Sequence, residues 1–298
     1  MGVWIVYFCR RVLQSLNGEN KQRRKHHAFL FLFTELSGAC NSQKQTFMKK
    51  LFSISMSIMA CALLCTSCDE SSKELVLSNS SVNLHYEESK YVYVVGENGT
   101  AMWESGNEFV ASVSNGTITG NHVGETFVSA NVNGKTAICQ VEVTPQYYTY
   151  VEPIMQWGIS PSELKNIKGT PDQTLSSGVL AYYQDMNKGI IEMYTFKNNQ
   201  LTSCGVMLNT KNSDVGRFLI ERYQAISEKD GVFVLINAMS LEEATLGVGF
   251  QVASSSSGSY FLVTYIPWNN SSNSPAKKVS QFNVNKSSEI DEIAAMLL

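Results

Sequence analysis

Histidine is scarce: the 298 residues contain four, and only His85 and His122 follow residue 68. They lie far apart in the chain with no Cys, Asp or Glu at ligand spacing beside both, so neither a metal site nor a cofactor is expected. Beyond His122 there is no imidazole at all, which excludes a Ser-His-Asp or Cys-His arrangement built within the C-terminal half. Six prolines exclude a proline-rich scaffold. Charge is sparse at 16% and the net charge is only -3, which gives no basis for nucleic-acid binding. At 44% hydrophobic the composition is globular.

The average conceals a division. Residues 1–47 carry seven Lys/Arg against two Asp/Glu, whereas residues 69–298 carry 14 against 24, a net of -10. Between them, Met48-Lys49-Lys50 precedes fourteen uncharged residues from Leu51 to Leu64. Such a helix covers about 21 Å at 1.5 Å per residue, short of the roughly 30 Å hydrocarbon core, so the segment reads as a signal-peptide h-region rather than a membrane span. It ends in Leu64-Cys65-Thr66-Ser67-Cys68-Asp69-Glu70. These residues resemble a bacterial lipobox, which implies that Cys68 is diacylated and becomes the mature N-terminus. Cys65 stands where that motif usually has Leu. The acids at Asp69, Glu70 and Glu74 resemble the export signal of Bacteroidetes-type surface lipoproteins, which implies an outer-membrane, surface-exposed location with the membrane as a partner through the lipid. On this reading residues 1–47 are a mis-assigned N-terminal extension, 48–67 the signal peptide and 68–72 a short linker.

Seven cysteines leave little for a disulfide framework, because only Cys139 and Cys204 lie beyond Cys68. Each sits in an apolar strand pattern, and buried free thiols are expected.

Residues 73–144 alternate in short runs punctuated by Asn98-Gly99, Asn115-Gly116 and Asn133-Gly134, pairs suited to type I′ hairpins. The order Trp103-Glu104-Ser105, Phe109-Val110-Ala111-Ser112-Val113, Gly116-Thr117-Ile118-Thr119-Gly120 and Gly124-Glu125-Thr126-Phe127-Val128 resembles the bacterial immunoglobulin-like group 2 family. That resemblance implies a seven-stranded sandwich used as a spacer or adhesive module. Trp103 reads as its core anchor in preference to a sugar-stacking platform.

Residues 146–298 change texture, and a hinge is expected near Pro145. Ser160-Pro161-Ser162-Glu163 combines an N-cap hydroxyl, a first-turn proline and a capping-box glutamate, and Gly169 supplies the stop, so a helix is predicted over 161–168. Strands are predicted at 179–184, 190–196 and 201–208. A second helix begins near Ser213, with Val215, Phe218, Leu219, Tyr223 and Ile226 on its apolar stripe and Glu221 off it. Strands then follow at 232–236, 245–252 and 260–266, and a terminal helix carries Ile290, Ile293, Ala294 and Leu297. The run Trp157-Gly158-Ile159-Ser160-Pro161-Ser162-Glu163-Leu164-Lys165 with Gly169-Thr170-Pro171 resembles the β-lactamase-inhibitor-like domains of small outer-membrane lipoproteins, which implies a binding surface rather than a catalyst. The expected fold is therefore an all-β immunoglobulin-like sandwich followed by an α+β domain with helices on one face of an antiparallel sheet.

No reaction is legible. Gly247-Val248-Gly249 lacks the third glycine of a dinucleotide loop, and the adjacent acids Glu242-Glu243 and Asp291-Glu292 read as a solvated face rather than a glycosidase pair. The expectation is a non-catalytic cell-surface protein that binds a glycan or protein, with a structural or assembly role in the outer envelope as the alternative and a surface hydrolase behind both. Trp268, followed by Asn269 and Asn270 in a polar loop, is the candidate ligand contact through stacking and amide hydrogen bonds.

Overall fold

The computed structural model describes residues 74–268 and 287–297. The extension, the signal segment, Cys68, Asn269 and Asn270 lie outside them. The described residues from Leu75 onward belong to one compact unit, mostly β-sheet and mostly antiparallel.

Nine strands come first: β1 (Val76–Leu77), β2 (Ser81–Leu84), β3 (Ser89–Tyr91), β4 (Val94–Val95), β5 (Met102–Ser105), β6 (Ala111–Ser114), β7 (Thr117–Gly120), β8 (Gly124–Val132) and β9 (Lys135–Val143). They form a four-stranded sheet β2-β9-β8-β5, a three-stranded sheet β3-β7-β6 and a β1-β4 ladder, with β2 and β9 parallel. Both sheets contribute to one core, in which Leu84, Val128 and Val141 meet Ala111 and Ile118. Trp103 is partly buried against that core. Of the three Asn-Gly pairs, two are type I′ hairpin turns: Asn115 and Gly116 (φ 50° and 81°) join β6 to β7, and Asn133 and Gly134 (φ 52° and 81°) join β8 to β9. Asn98-Gly99 instead links β4 to β5, which do not pair.

The rest of the chain builds one eight-stranded sheet. Helix α1 (Pro161–Lys168) is followed by β10 (Gln173–Thr174), β11 (Leu180–Asp185), β12 (Ile190–Lys197) and β13 (Gln200–Asn209). Helix α2 (Val215–Ile220) is followed by β14 (Gln224–Lys229), β15 (Val232–Ile236), β16 (Leu246–Ser255), β17 (Gly258–Pro267) and finally α3 (Ser287–Ala295). The strand order β10-β11-β12-β13-β17-β16-β15-β14 places two four-stranded meanders back to back across the β13–β17 ladder. Each half has four strands where three are predicted: the two-residue β10 is too short to register as an alternating pattern, and β14 falls in the stretch predicted as the end of the second helix.

Two expectations are corrected. The helices do not share one face. Leu164 of α1 and Phe218 of α2 pack with Tyr194, Val206, Val263 and Tyr265 on one side of the sheet, whereas Ile290 and Ile293 of α3 pack with Ile191, Met207 and Leu262 on the other. Both faces of the central strands are apolar, so both need a cover. The second helix is also shorter than predicted. It ends at Ile220, and Ile226 belongs to β14, where the ladder to β15 (Gln224↔Ile236 to Lys229↔Val232) takes the backbone bonds that a longer helix would have made.

Candidate functional site

Trp268 is 4% exposed and lies in a satellite core with Val234, Ile236, Ala244 and Ile266. Its Nε1 donates to the Leu241 carbonyl at 3.3 Å, and its backbone N–H donates to Thr245 at 2.8 Å. The indole therefore presents no stacking face to a ligand, and Trp268 is a core residue rather than the expected ligand contact. The cause is register: β17 continues to Pro267, and the face that holds Ile266 also takes Trp268. The serine-rich 254–259 turn is likewise engaged, since Ser256 donates its backbone N–H to Asp291 at 2.7 Å. Glu292 accepts from the backbone N–H of Ser176 at 2.9 Å. The terminal acids thus clamp α3 to its surroundings.

The two thiols and the carboxylates of Glu152 and Glu192 are engaged within the fold. Cys139 and Cys204 are free and buried. Burial, with Glu192 and Glu152 nearby, pushes the Cys204 thiol far above its ordinary range, the reverse of what a nucleophile needs. Glu192, 4% exposed, accepts from Lys168 Nζ at 2.6 Å, Tyr194 Oη at 2.7 Å and Gln184 Nε2 at 2.5 Å. Glu152 accepts from Tyr223 and from Tyr265, whose hydroxyl also meets that of Tyr150 at 2.6 Å. Burial raises all four of these tyrosines first, and the neighbouring carboxylates add to it for Tyr194 and Tyr223, so the phenols stay protonated as donors. Among the described residues no group of three or more His, Cys, Asp or Glu side chains is arranged to hold a metal ion, and no helix is long and apolar enough to cross a membrane.

What these groups hold is the segment that follows Pro145. Residues 146–154 run across the face that carries α1 and α2, and sheet-unit side chains bond their backbone. Glu221 accepts the N–H groups of Gln146 (2.9 Å) and Tyr147 (3.2 Å). Gln184 pairs with both the N–H and the carbonyl of Val151, each at 2.7 Å. Tyr194 Oη accepts from the Ile154 N–H at 3.0 Å. Tyr150 is inserted into the core beside Phe218, with ring centroids 4.3 Å apart. The stretch expected to act as a hinge is a strap with fixed bonds.

The same side of α2 receives the sandwich. The Glu221 carbonyl accepts the Val123 N–H at 2.7 Å, while the Glu221 carboxylate, 1% exposed, is paired with Arg222. His122, 5% exposed, stacks on Phe109 with centroids 4.1 Å apart and planes 7° apart. Its Nδ1 lies 2.7 Å from the Phe109 carbonyl, which can only accept. Burial lowers its pKa to about 4, against the opposing backbone bonds of Phe109 and Tyr223, so the ring is neutral at pH 7. Two clefts open at this junction. One of about 390 Å³ is lined by Tyr86, Asn121, His122 and Gln224 among others. The second, of about 450 Å³, lies between Asn107, Glu108 and Phe109 of the sandwich and Asn237, Met239 and Glu243 of the sheet unit. Of the lining residues, the sequence singles out only His122 and Glu243 for chemistry, and reads them as neither a metal ligand nor a catalytic acid. The pairing of distant loops that forms these clefts leaves no local signal, and Glu221 looked like an off-stripe surface acid.

No family model matches the chain, and no curated protein matches it. Solved structures give distant likenesses. An intimin mutant of EHEC O157:H7 is 15% identical, with a TM-score of 0.22, over 43% of this chain and 90% of that one. Domains 5-6 of the S-layer protein SbsC are 10% identical, with a TM-score of 0.21, over 66% and 86% of the two chains. A larger piece of the same S-layer protein gives the same identity and TM-score over 66% of this chain and 22% of its own. The neighbours are bacterial surface proteins, and likeness at this level transfers neither fold nor function.

Proposed function

We propose that this chain is a non-catalytic, lipid-anchored protein of the bacterial outer membrane that binds an exposed glycan or protein. Its sandwich is of the bacterial immunoglobulin-like group 2 type, its second unit is of the α+β class, and the two act as one body. The observation that carries the reading is the second junction cleft, where Asn107, Glu108, Asn237 and Glu243 surround an opening beside Phe109. Carboxylates and amides from two loops suit the vicinal hydroxyls of a sugar or the polar groups of a peptide, and the volume lies in the range of about 300–1,000 Å³ usual for small-ligand sites. Burial of both thiols supports binding over turnover. Lipid on Cys68 would hold this cleft outside the cell.

A glycan array and a cell-binding assay with the chain from Asp69 to Leu298 test the reading. The expected result is saturable binding that falls at least about tenfold in Glu108→Gln/Glu243→Gln, a loss of roughly 1.4 kcal/mol, with an unchanged melting temperature. Absence of binding on both platforms, or hydrolysis of an arrayed glycan, overturns it.

A further inference from the structure

The sandwich has an outward apolar stripe that its own fold does not explain. Along 91–95 the inward residues are Val92, fully buried, and Val94, whereas Tyr91, Tyr93 and Val95 face out with 62%, 52% and 45% of their surfaces exposed. Val76 stands opposite Val95 in the β1-β4 ladder and is 53% exposed. The two tyrosine rings lie side by side, with centroids 6.1 Å apart and planes within 24°. The backbone beneath is fixed: Ser78 donates its N–H to the Tyr93 carbonyl at 2.8 Å, and Ser78 Oγ accepts the Tyr93 N–H at 3.1 Å. This stretch, which runs from the end of β3 through β4, buries one side in the core and leaves an apolar side outward for an external partner.

The position of the stripe identifies that partner. Val76 stands at the start of the described fold, and only residues 69–75 separate it from Cys68. Seven residues reach at most about 25 Å when fully extended. We propose that Tyr91, Tyr93, Val95 and Val76 form a foot that rests in the interface of the bilayer in which Cys68 is anchored, an inference that relies on the lipid-anchor reading above. Tyrosine suits this place because its ring accepts an apolar environment while its hydroxyl stays in water, as in the aromatic belts of membrane proteins. The foot has a consequence for charge. With a net of -10 over residues 69–298, the chain is repelled by anionic lipid, and the surface it favours is zwitterionic. Seated in this way, the sandwich stands at a set orientation, and the strap and Glu221 junction pass that orientation to the sheet unit.

The test uses the chain from Asp69 to Leu298, which lacks the lipidated cysteine and keeps every described residue, with vesicles of phosphatidylcholine in a flotation assay. Measurable partition is expected, falling about tenfold in Tyr91→Ser/Tyr93→Ser and weakening when phosphatidylglycerol is added. Met186→Ser removes an apolar side chain of the sheet unit that is 67% exposed and should leave partition unchanged. Thermal melting of each variant separates lost affinity from lost fold. No partition, equal partition by the tyrosine variant, equal loss with Met186→Ser, or loss of glycan binding by the tyrosine variant without loss of lipid binding would each overturn the foot. Mass spectrometry of the native N-terminus decides lipidation of Cys68 separately, so the two ideas can fail independently.

Discussion

Removing the Trp268 indole empties a site that is 4% exposed and breaks a hydrogen bond to Leu241. Trp268→Ala should therefore cost about 3–5 kcal/mol, measured by urea unfolding, whereas a stacking platform in a loop would cost less than about 1 kcal/mol. In the sequence Trp268 leads a run of asparagine and serine, and nothing local shows that Thr245 and Leu241 close over it. Glu221 poses the same difficulty with the opposite sign. An acid off the apolar stripe of an amphipathic helix reads as solvated, yet this one is buried with two strap N–H groups and Arg222 around it. Glu221→Ala leaves two strap donors without an acceptor and takes the carboxylate from Arg222, whose side chain is 14% exposed and keeps its bonds to the Phe218 and Tyr147 carbonyls; a loss of about 2–4 kcal/mol is expected by the same unfolding measurement.

At the scale of elements, local chemistry is legible in the sequence where it is self-contained. The capping box of α1 is present in both directions, with Glu163 N–H to Ser160 Oγ at 3.2 Å and Ser160 N–H to Glu163 at 2.8 Å, and the helix spans the predicted residues. The sequence misleads where a distant partner decides. Tyr223 and Ile226 continue a helical stripe in sequence, but β15 claims the backbone from Gln224 onward. The two Asn-Gly turns separate intrinsic backbone cost from environment. Gly134 and Gly116 share φ of +81°, but a methyl on Gly134 meets nothing within 4 Å, whereas one on Gly116 comes within 2.3 Å of the Val92 carbonyl. Gly134→Ala should cost only the left-handed penalty of about 1–2 kcal/mol. Gly116→Ala should cost clearly more and shift β3 against β7, visible as a lower melting temperature and changed amide spectra around Val92.

For the whole molecule, the sequence suggested two modules but not how they are joined. The sandwich and the sheet were legible from alternation and turn residues, whereas the junction arises from single contacts between loops far apart in the chain. His122 gives that junction a pH signature. Its folded pKa of about 4 lies below the ordinary 6.5, so the unfolded chain takes up the proton first and stability falls with acid. This contribution is present above pH 6.5 and is lost progressively as pH drops toward 4, by roughly 3 kcal/mol in all. Comparing His122→Gln with the parent by urea unfolding between pH 6.5 and 5 should show a flatter dependence in the variant, because exposed carboxylates with lowered pKa, such as Glu163 and Glu292, act at lower pH.

Amide hydrogen exchange along the strap tests the central claim, a single rigid body built across Pro145, most directly. The N–H groups of Gln146, Tyr147, Val151 and Ile154 tie the strap to side chains of the sheet unit, and that of Val123 ties the sandwich to the Glu221 carbonyl. They should exchange only with opening free energies close to those of the central strands β13 and β17, and residues 144–153 should resist limited proteolysis in the folded protein. Exchange at those five positions at rates typical of an exposed loop, together with cleavage there into two folded fragments, would contradict it.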